Sequence, residues 1–292
     1  MFAIVGATGK VGGATAEVLR KAGQPVRAIV RDASKAEALA ALGCEVAVAD
    51  ARDTEALARA FAGASAVQVI CPVAPRADDA AGEMRGMIEA IGEALEIARP
   101  ARVLAISDYG AELSEPTGIT GLFHDLEKRL ARASRPTLFL RSAEHMQNWS
   151  RVLGAAARTG RLPSLHHPVT KLFPMVSAFD VGAIAAELLL APSEASPRVL
   201  HVEGPRRYTS ADVAAAVTEF DGRDVQAFEL PRSEWTGVLT KGGASESYAR
   251  LVVALYEVHN AGRIDAEAGG AIRRGPTEFV EMLRQARRQS GS

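Results

Sequence analysis

Directly after the apolar run Phe2–Val5 stands Gly6-Ala7-Thr8-Gly9-Lys10-Val11-Gly12-Gly13, and a helical pattern follows it through Lys21. A Cβ at the key positions would block the tight turn, the close approach of a pyrophosphate and the packing of the new helix on the strand. The helix that begins there offers free N–H groups and the positive end of its dipole to an anion. Glycines at Gly6, Gly9 and Gly12, placed between strand and helix at the head of the chain, therefore predict a dinucleotide-binding unit rather than a plain glycine turn.

The rest of the first half agrees with that start. Short apolar runs alternate with helical patterns, as in the βαβ units that build a parallel sheet. Strands are predicted at Phe2–Val5, Val26–Val30, Glu45–Ala49, Ala66–Ile70, Arg102–Ile106 and Thr137–Leu140. The clearest helix precedes the fifth of these: Met84, Met87, Ile88, Ile91, Leu95 and Ala98 recur at helical spacing, and Pro100 stops it. The pattern predicts an α/β protein, a doubly wound parallel sheet of the Rossmann type with a smaller C-terminal α/β substrate lobe. Residues 1–150 are expected to bind NAD(P), and residues 151–292 to supply the remainder of the sheet and the substrate lobe, packed as a single unit. Within the second half, Leu162–Pro174 reads as a loop rich in Pro and His. A helix starts near Asp180, Pro192–Pro197 makes a turn, and a strand follows at Val199–Val202. Helical patterns near Ala211–Phe220, Ser245–Ala261 and Thr277–Arg288 and a short strand at Val225–Leu230 complete the chain.

Composition excludes several functions. Lys+Arg (34) and Asp+Glu (35) nearly cancel, which disfavours a nucleic-acid surface, because such surfaces need a basic excess to displace counterions. Aromatic residues, at 5%, are too few for stacking platforms along a single strand. No apolar run approaches the roughly 20 residues that span a bilayer, and Cys44 and Cys71 make neither a disulfide framework nor a Cys-rich metal site. A cytoplasmic protein is expected. His166 and His167 are adjacent while His145 and His201 stand alone, and none pairs with another at a helical spacing of four, so no metal is predicted.

The glycine spacing is Gly-x-x-Gly-x-x-Gly, and the run Ala7-Thr8-Gly9-Lys10-Val11-Gly12 resembles the NmrA-like branch of the atypical short-chain dehydrogenases. Val26-Arg27-Ala28-Ile29-Val30-Arg31-Asp32, Asp50 and Asp53, Ser107, and Leu138-Phe139-Leu140-Arg141 leading to Met146-Gln147-Asn148 are similar to that branch as well. So are Tyr208-Thr209 and Pro276-Thr277-Glu278-Phe279, so the resemblance covers nearly the whole chain.

Cofactor choice is decided at the end of the second strand. A carboxylate there takes the ribose hydroxyls of NAD, whereas a cation takes the 2′-phosphate of NADP. Arg31 and Asp32 supply both, and alternation sends neighbours to opposite faces. The resemblance implies that Arg31 is the reader, with Lys10 as a second positive charge, so NADP(H) is preferred over NAD(H). Asp50 either accepts a hydrogen bond from the adenine amino group or shares a helix N-cap with Asp53 and Thr54. Ile70, Cys71 and Pro72 after the fourth strand and Ser107 after the fifth are expected to line the cofactor cleft, Cys71 as a small apolar wall rather than a reactive thiol. With Gly6, Thr8, Gly9, Lys10, Val11 and Gly12 they make the expected cofactor set.

Most short-chain dehydrogenases use a Tyr-x-x-x-Lys proton relay, but four residues after Tyr109 stands Leu113. Three possibilities remain: a reductase of quinones or similar small electrophiles, which the resemblance implies; a catalytically silent NADP(H)-sensing regulator; and a reductase of conjugated double bonds. The last type relies on a lysine in the helix before the sixth strand, where His124 and Lys128 share a face. His124, Lys128 and Tyr109 are the candidate proton donors, although ordinary surface pairing also explains the helix face. Trp149 and Trp235 fall in the segments Phe139–Trp149 and Trp235–Tyr256, which with Phe173–Phe179 are expected to wall a pocket for a small apolar or planar substrate. A homodimer is compatible with this reading, as is a protein partner for a regulator.

Overall fold

The computed structural model describes residues 1–132, 136–192 and 198–290, so most of the turn predicted at Pro192–Pro197 lies outside the described residues. The strands are β1 (Phe2–Val5), β2 (Val26–Val30), β3 (Glu45–Val48), β4 (Ala66–Val69), β5 (Arg102–Asp108), β6 (Thr137–Ser142), β7 (Glu144–His145), β8 (Arg161–Ser164), β9 (Phe173–Val176), β10 (Val199–Glu203), β11 (Arg207–Tyr208), β12 (Gln226–Glu229) and β13 (Ile272–Arg274). Helices are α1 (Lys10–Lys21), α2 (Glu37–Ala41), α3 (Thr54–Phe61), α4 (Ala80–Ala98), α5 (Ile119–Ala131), α6 (Ser150–Thr159), α7 (Ala178–Leu190), α8 (Ser210–Asp221), α9 (Trp235–Lys241), α10 (Glu246–Asn260) and α11 (Phe279–Ser290).

Eight strands form one sheet in the order β13-β10-β6-β5-β4-β1-β2-β3, and every neighbouring pair is parallel. The chain builds outward from β1 to β3 and then returns to β4 on the other side of β1. That reversal opens a crevice at the carboxyl ends of β1 and β4, where open α/β sheets bind ligands. Strand alternation divides the interior into two cores. Ile4, Ala28, Leu104, Ile106, Leu138 and Leu140 pack on the side of α1 and α7, whereas Ala3, Val5, Val67, Val69, Val103 and Phe139 pack on the side of α3, α4 and α5.

β10 and β13 from the second half extend the sheet, and the remainder of that half forms a third core around Trp149, Phe173, Tyr208, Val213 and Phe279. Two differences from the sequence expectation matter for the site. Strands β5 and β6 run two residues beyond the predicted Ile106 and Leu140, so Ser107, Asp108, Arg141 and Ser142 belong to the ladder. The predicted loop Leu162–Pro174 is bounded by strands: β8 pairs with β12, and β9 with β7 and β11. Pro163 does not prevent this, since a two-stranded edge tolerates a missing donor.

Helix α1 lies very close to α7. A Cβ on Gly182 would stand 2.4 Å from the Val11 carbonyl oxygen and 2.6 Å from the Ala14 Cβ. Thr15 Oγ1 bridges the gap, 3.0 Å from the carbonyl oxygens of both Val11 and Gly182. Gly182→Ala is therefore expected to lower stability by about 1–3 kcal/mol through overpacking, measured by urea unfolding.

Candidate cofactor and substrate site

The glycine turn is built as its spacing predicts. Gly6 adopts a left-handed φ of +72°, and the Gly9 N–H donates to the Gly6 carbonyl at 3.0 Å. A Cβ on Gly12 would lie 2.5 Å from the Gly6 oxygen and 2.9 Å from the Ala7 Cα, so only glycine lets α1 start this close to the strand. Gly9 caps α1 with no side-chain bond, and no acidic residue stands in the first turn. By contrast α3, α4, α7, α8 and α10 are capped by Asp53, Asp79, Ser177, Thr209 and Ser245. An uncapped, dipole-positive helix end over a glycine cradle fits a pyrophosphate. Thr8 and Lys10 are exposed around it, and Val11 is buried beneath.

At the end of β2 the two charges take different tasks. Asp32 is turned into the next element, where its Oδ1 accepts from the Ser34 N–H at 3.0 Å and the Ser34 hydroxyl at 2.7 Å. Arg31 is exposed and has no ion pair among the described residues. Asp50 is held by Arg52, through the backbone N–H at 2.9 Å and the guanidinium at 3.1 and 3.0 Å, while Asp53 caps α3. These bonds keep Asp50 below its ordinary carboxyl range.

Ile70 stands at van der Waals distance from the position of a Gly6 Cβ, 3.4 Å, and Pro72 is exposed. The Cys71 side chain faces the other core, 2% exposed with Sγ 3.9 Å from the Met84 carbonyl, and burial pushes its thiol up to about 12. It is an unreactive wall. Ser107 is 1% exposed, and its hydroxyl donates to Glu127 of α5 at 2.6 Å. Asp108, the last residue of β5, is in register with Ser142, and its carboxyl accepts from the Thr120 hydroxyl of α5 at 2.7 Å.

The three candidate proton donors are not brought together. Tyr109 is 2% exposed and donates to Glu203 at 3.2 Å, and burial beside that carboxylate raises its phenol further. His124 Nδ1 lies 2.9 Å from the Ala111 carbonyl, and Lys128 is exposed further along α5.

Sequence reasoning missed a polar cluster assembled from distant segments. After β6 the strand β7 places Glu144 and His145 on opposite faces. Glu144 accepts from His166 Nε2 at 2.8 Å and from the Tyr256 hydroxyl at 3.0 Å. Burial opposes its charge, but His166, His259 and these hydrogen bonds outweigh that and keep its carboxyl below the ordinary range. His166 is 1% exposed, stacked on Phe173 and Trp149, with His259 edge-on at 5.5 Å. On the other face, His145 Nε2 lies 3.2 Å from Ser142 Oγ. Trp149 packs against His166 and Phe173, its indole N–H without a partner among the described residues, whereas Trp235 donates to the Leu230 carbonyl at 2.7 Å and serves the lobe's own packing. The only sequence signal was alternation at Glu144-His145 immediately past a strand end. The partners His166, Tyr256 and His259 carry none.

The fold and the glycine turn define a dinucleotide-binding α/β protein. The chain belongs to the NmrA-like family, whose model matches residues 1–274. It is 27% identical over 258 residues to an NAD(P)H azoreductase of Xenophilus azovorans, covering 88% of this chain and 86% of that protein. It is also 27% identical over 256 residues to quinone oxidoreductase 2 of Escherichia coli (strain K12), covering 86% and 85%. The NADP(H) complex of a Citrobacter sp. triphenylmethane reductase superposes with a TM-score of 0.82 at 22% identity over 98% of this chain and all of that one, 100%. No helix among the described residues is long and apolar enough to cross a membrane.

Burial lowers His145 and His259 to about 4 from an ordinary 6.5. Between those values the unfolded chain binds protons that the folded chain does not, so stability should fall as pH drops through that window. The expected slope is up to about 1.4 kcal/mol per pH unit for each histidine. Urea midpoints from pH 7 to 4 measure it, and His259→Gln should remove its share.

Proposed function

We propose that this chain is an NADP(H)-dependent reductase that passes hydride to a quinone or a similar small planar electrophile, with NADP(H) preferred over NAD(H). One observation carries the cofactor half of this reading: Arg31 stands exposed and without an ion pair among the described residues, while Asp32 is spent on capping the next turn. The uncapped α1 and its glycine cradle bind the pyrophosphate, Lys10 adds charge beside it, Asp50 stands toward the adenine end, and Ile70 and Pro72 border the crevice. When bound, the dinucleotide supplies the hydride, so the protein's task is orientation and exclusion of water. The names of both curated relatives, an azoreductase and a quinone oxidoreductase, support a flat acceptor. Leu113 in place of a relay lysine supports an acceptor other than a simple alcohol or ketone.

Two measurements test this. Arg31→Ala should weaken NADPH binding about tenfold or more, the value of one charge-assisted contact, and leave NADH binding unchanged in calorimetric titration. Steady oxidation of NADPH by a panel of quinones supports the reductase. Tight NADPH binding without turnover on any acceptor would instead establish the catalytically silent, redox-sensing regulator.

A further inference from the structure

Reduction of a quinone adds a hydride and a proton; Tyr109 is tied to Glu203 and His124 Nδ1 meets the Ala111 carbonyl. We infer that Asp108 is the proton donor to the acceptor, an assignment that rests on the proposed reductase function. Asp108 is the last residue of β5 and follows Leu104 and Ile106 on the face that carries α1 and the glycine turn. Its Cα is in register with Ser142 of β6, whose hydroxyl meets His145 Nε2 in a row at the carboxyl end of that strand. Lys10 of the glycine turn acts electrostatically on His145, which ties the row to the cofactor cleft.

The surroundings suit an acid. One carboxyl oxygen, Oδ2, accepts from the Thr120 hydroxyl at 2.7 Å at the start of α5, and Oδ1 has no side-chain partner among the described residues. The charged groups facing Asp108 are Glu144 of β7 and Glu112 of the loop after β5, and both disfavour a second negative charge. Burial is the largest influence, and the carboxyl is pushed up to about 7 despite the Thr120 bond and the Tyr109 N–H. A group that titrates there is half-loaded at neutral pH and is matched to general acid work. Its neighbour His145 stays neutral, so it does not compete for the proton.

The step balances. Hydride transfer leaves the acceptor as a hydroquinone monoanion; the Asp108 O–H bond breaks, a new O–H bond forms on the acceptor oxygen, and the carboxylate regains its proton from water. An acceptor that is itself a carbocation takes the hydride alone and needs no proton, which gives the test its control.

Wild type and Asp108→Asn, saturated with NADPH, are compared on a naphthoquinone and on a cationic triarylmethane dye. The variant should lose about 100-fold in kcat on the naphthoquinone and far less on the dye. The wild-type rate on the naphthoquinone should fall above about pH 7, and the variant should lose that limb. An infrared difference spectrum of wild type against Asp108→Asn, without turnover, should show a protonated carboxyl band that disappears near the same pH. Full retention of naphthoquinone turnover, equal losses on both acceptors, or no titrating carboxyl would overturn the inference. Wild type inert with every acceptor would refute the reductase instead, and the infrared titration would still judge Asp108 by itself.

Discussion

The close seating of α1 on the first strand is the constraint from which the rest of the site follows. Gly12 lets the helix approach to where a Cβ would meet the Gly6 oxygen at 2.5 Å, and Gly182 lets α7 close on α1 from the other side. Thr15, fully buried, spans both contacts with one hydroxyl. Because α1 is pinned between β1 and α7, its uncapped N–H groups are aimed at one fixed point over the crevice. An anion there finds donors already oriented, so little ordering cost remains to be met on binding.

The second half of the chain does more than cover the first. β10 and β13 continue the parallel ladder, and their junction is reinforced by buried ions at the strand ends. Arg141 of β6 is 4% exposed and holds Glu127, Glu112 and Glu267, each at 2.7 Å, from three different segments. Glu203 of β10, fully buried, accepts from Tyr109, Arg207 and Arg274. Removing one member of such a network leaves an uncompensated buried charge, so these residues fix how the loops beyond β5 and β10 leave the sheet. The Tyr109 and Ser107 hydroxyls are joined to this scaffolding through Glu203 and Glu127.

Much of the fold was legible because it rests on local signals. All six predicted sheet strands of the first half exist, and the glycine turn and the α4 stripe are each readable within about two dozen residues. The ends of β5 and β6 were not, because Ser107, Asp108, Arg141 and Ser142 are polar and break the apolar run. Only tertiary pairing with Glu127, Thr120 and His145 lets them stay in the ladder. β13 was invisible for a related reason: Ile272-Arg273-Arg274 carries no strand pattern and is held by its register with His201–Glu203. The cofactor end of the site is local in sequence. The buried polar cluster joins residues 144, 166, 256 and 259, and no spacing announces it.

Charge behaves the same way. The chain is nearly neutral overall, yet it separates its charges along the crevice. Arg31 and Lys10, exposed and without an ion pair among the described residues, stand on the side of the positive end of α1, while Asp108, Glu112 and Glu144 gather beyond β5 and β6. Carboxylates crowded in a half-buried site cannot all ionise at neutral pH, and the strain falls on the one with the weakest compensation. Glu144 has an imidazole and a phenol to hold its charge; Asp108 has a single hydroxyl and one N–H. The carboxyl whose charge is most disfavoured is therefore that of Asp108, at the carboxyl end of β5.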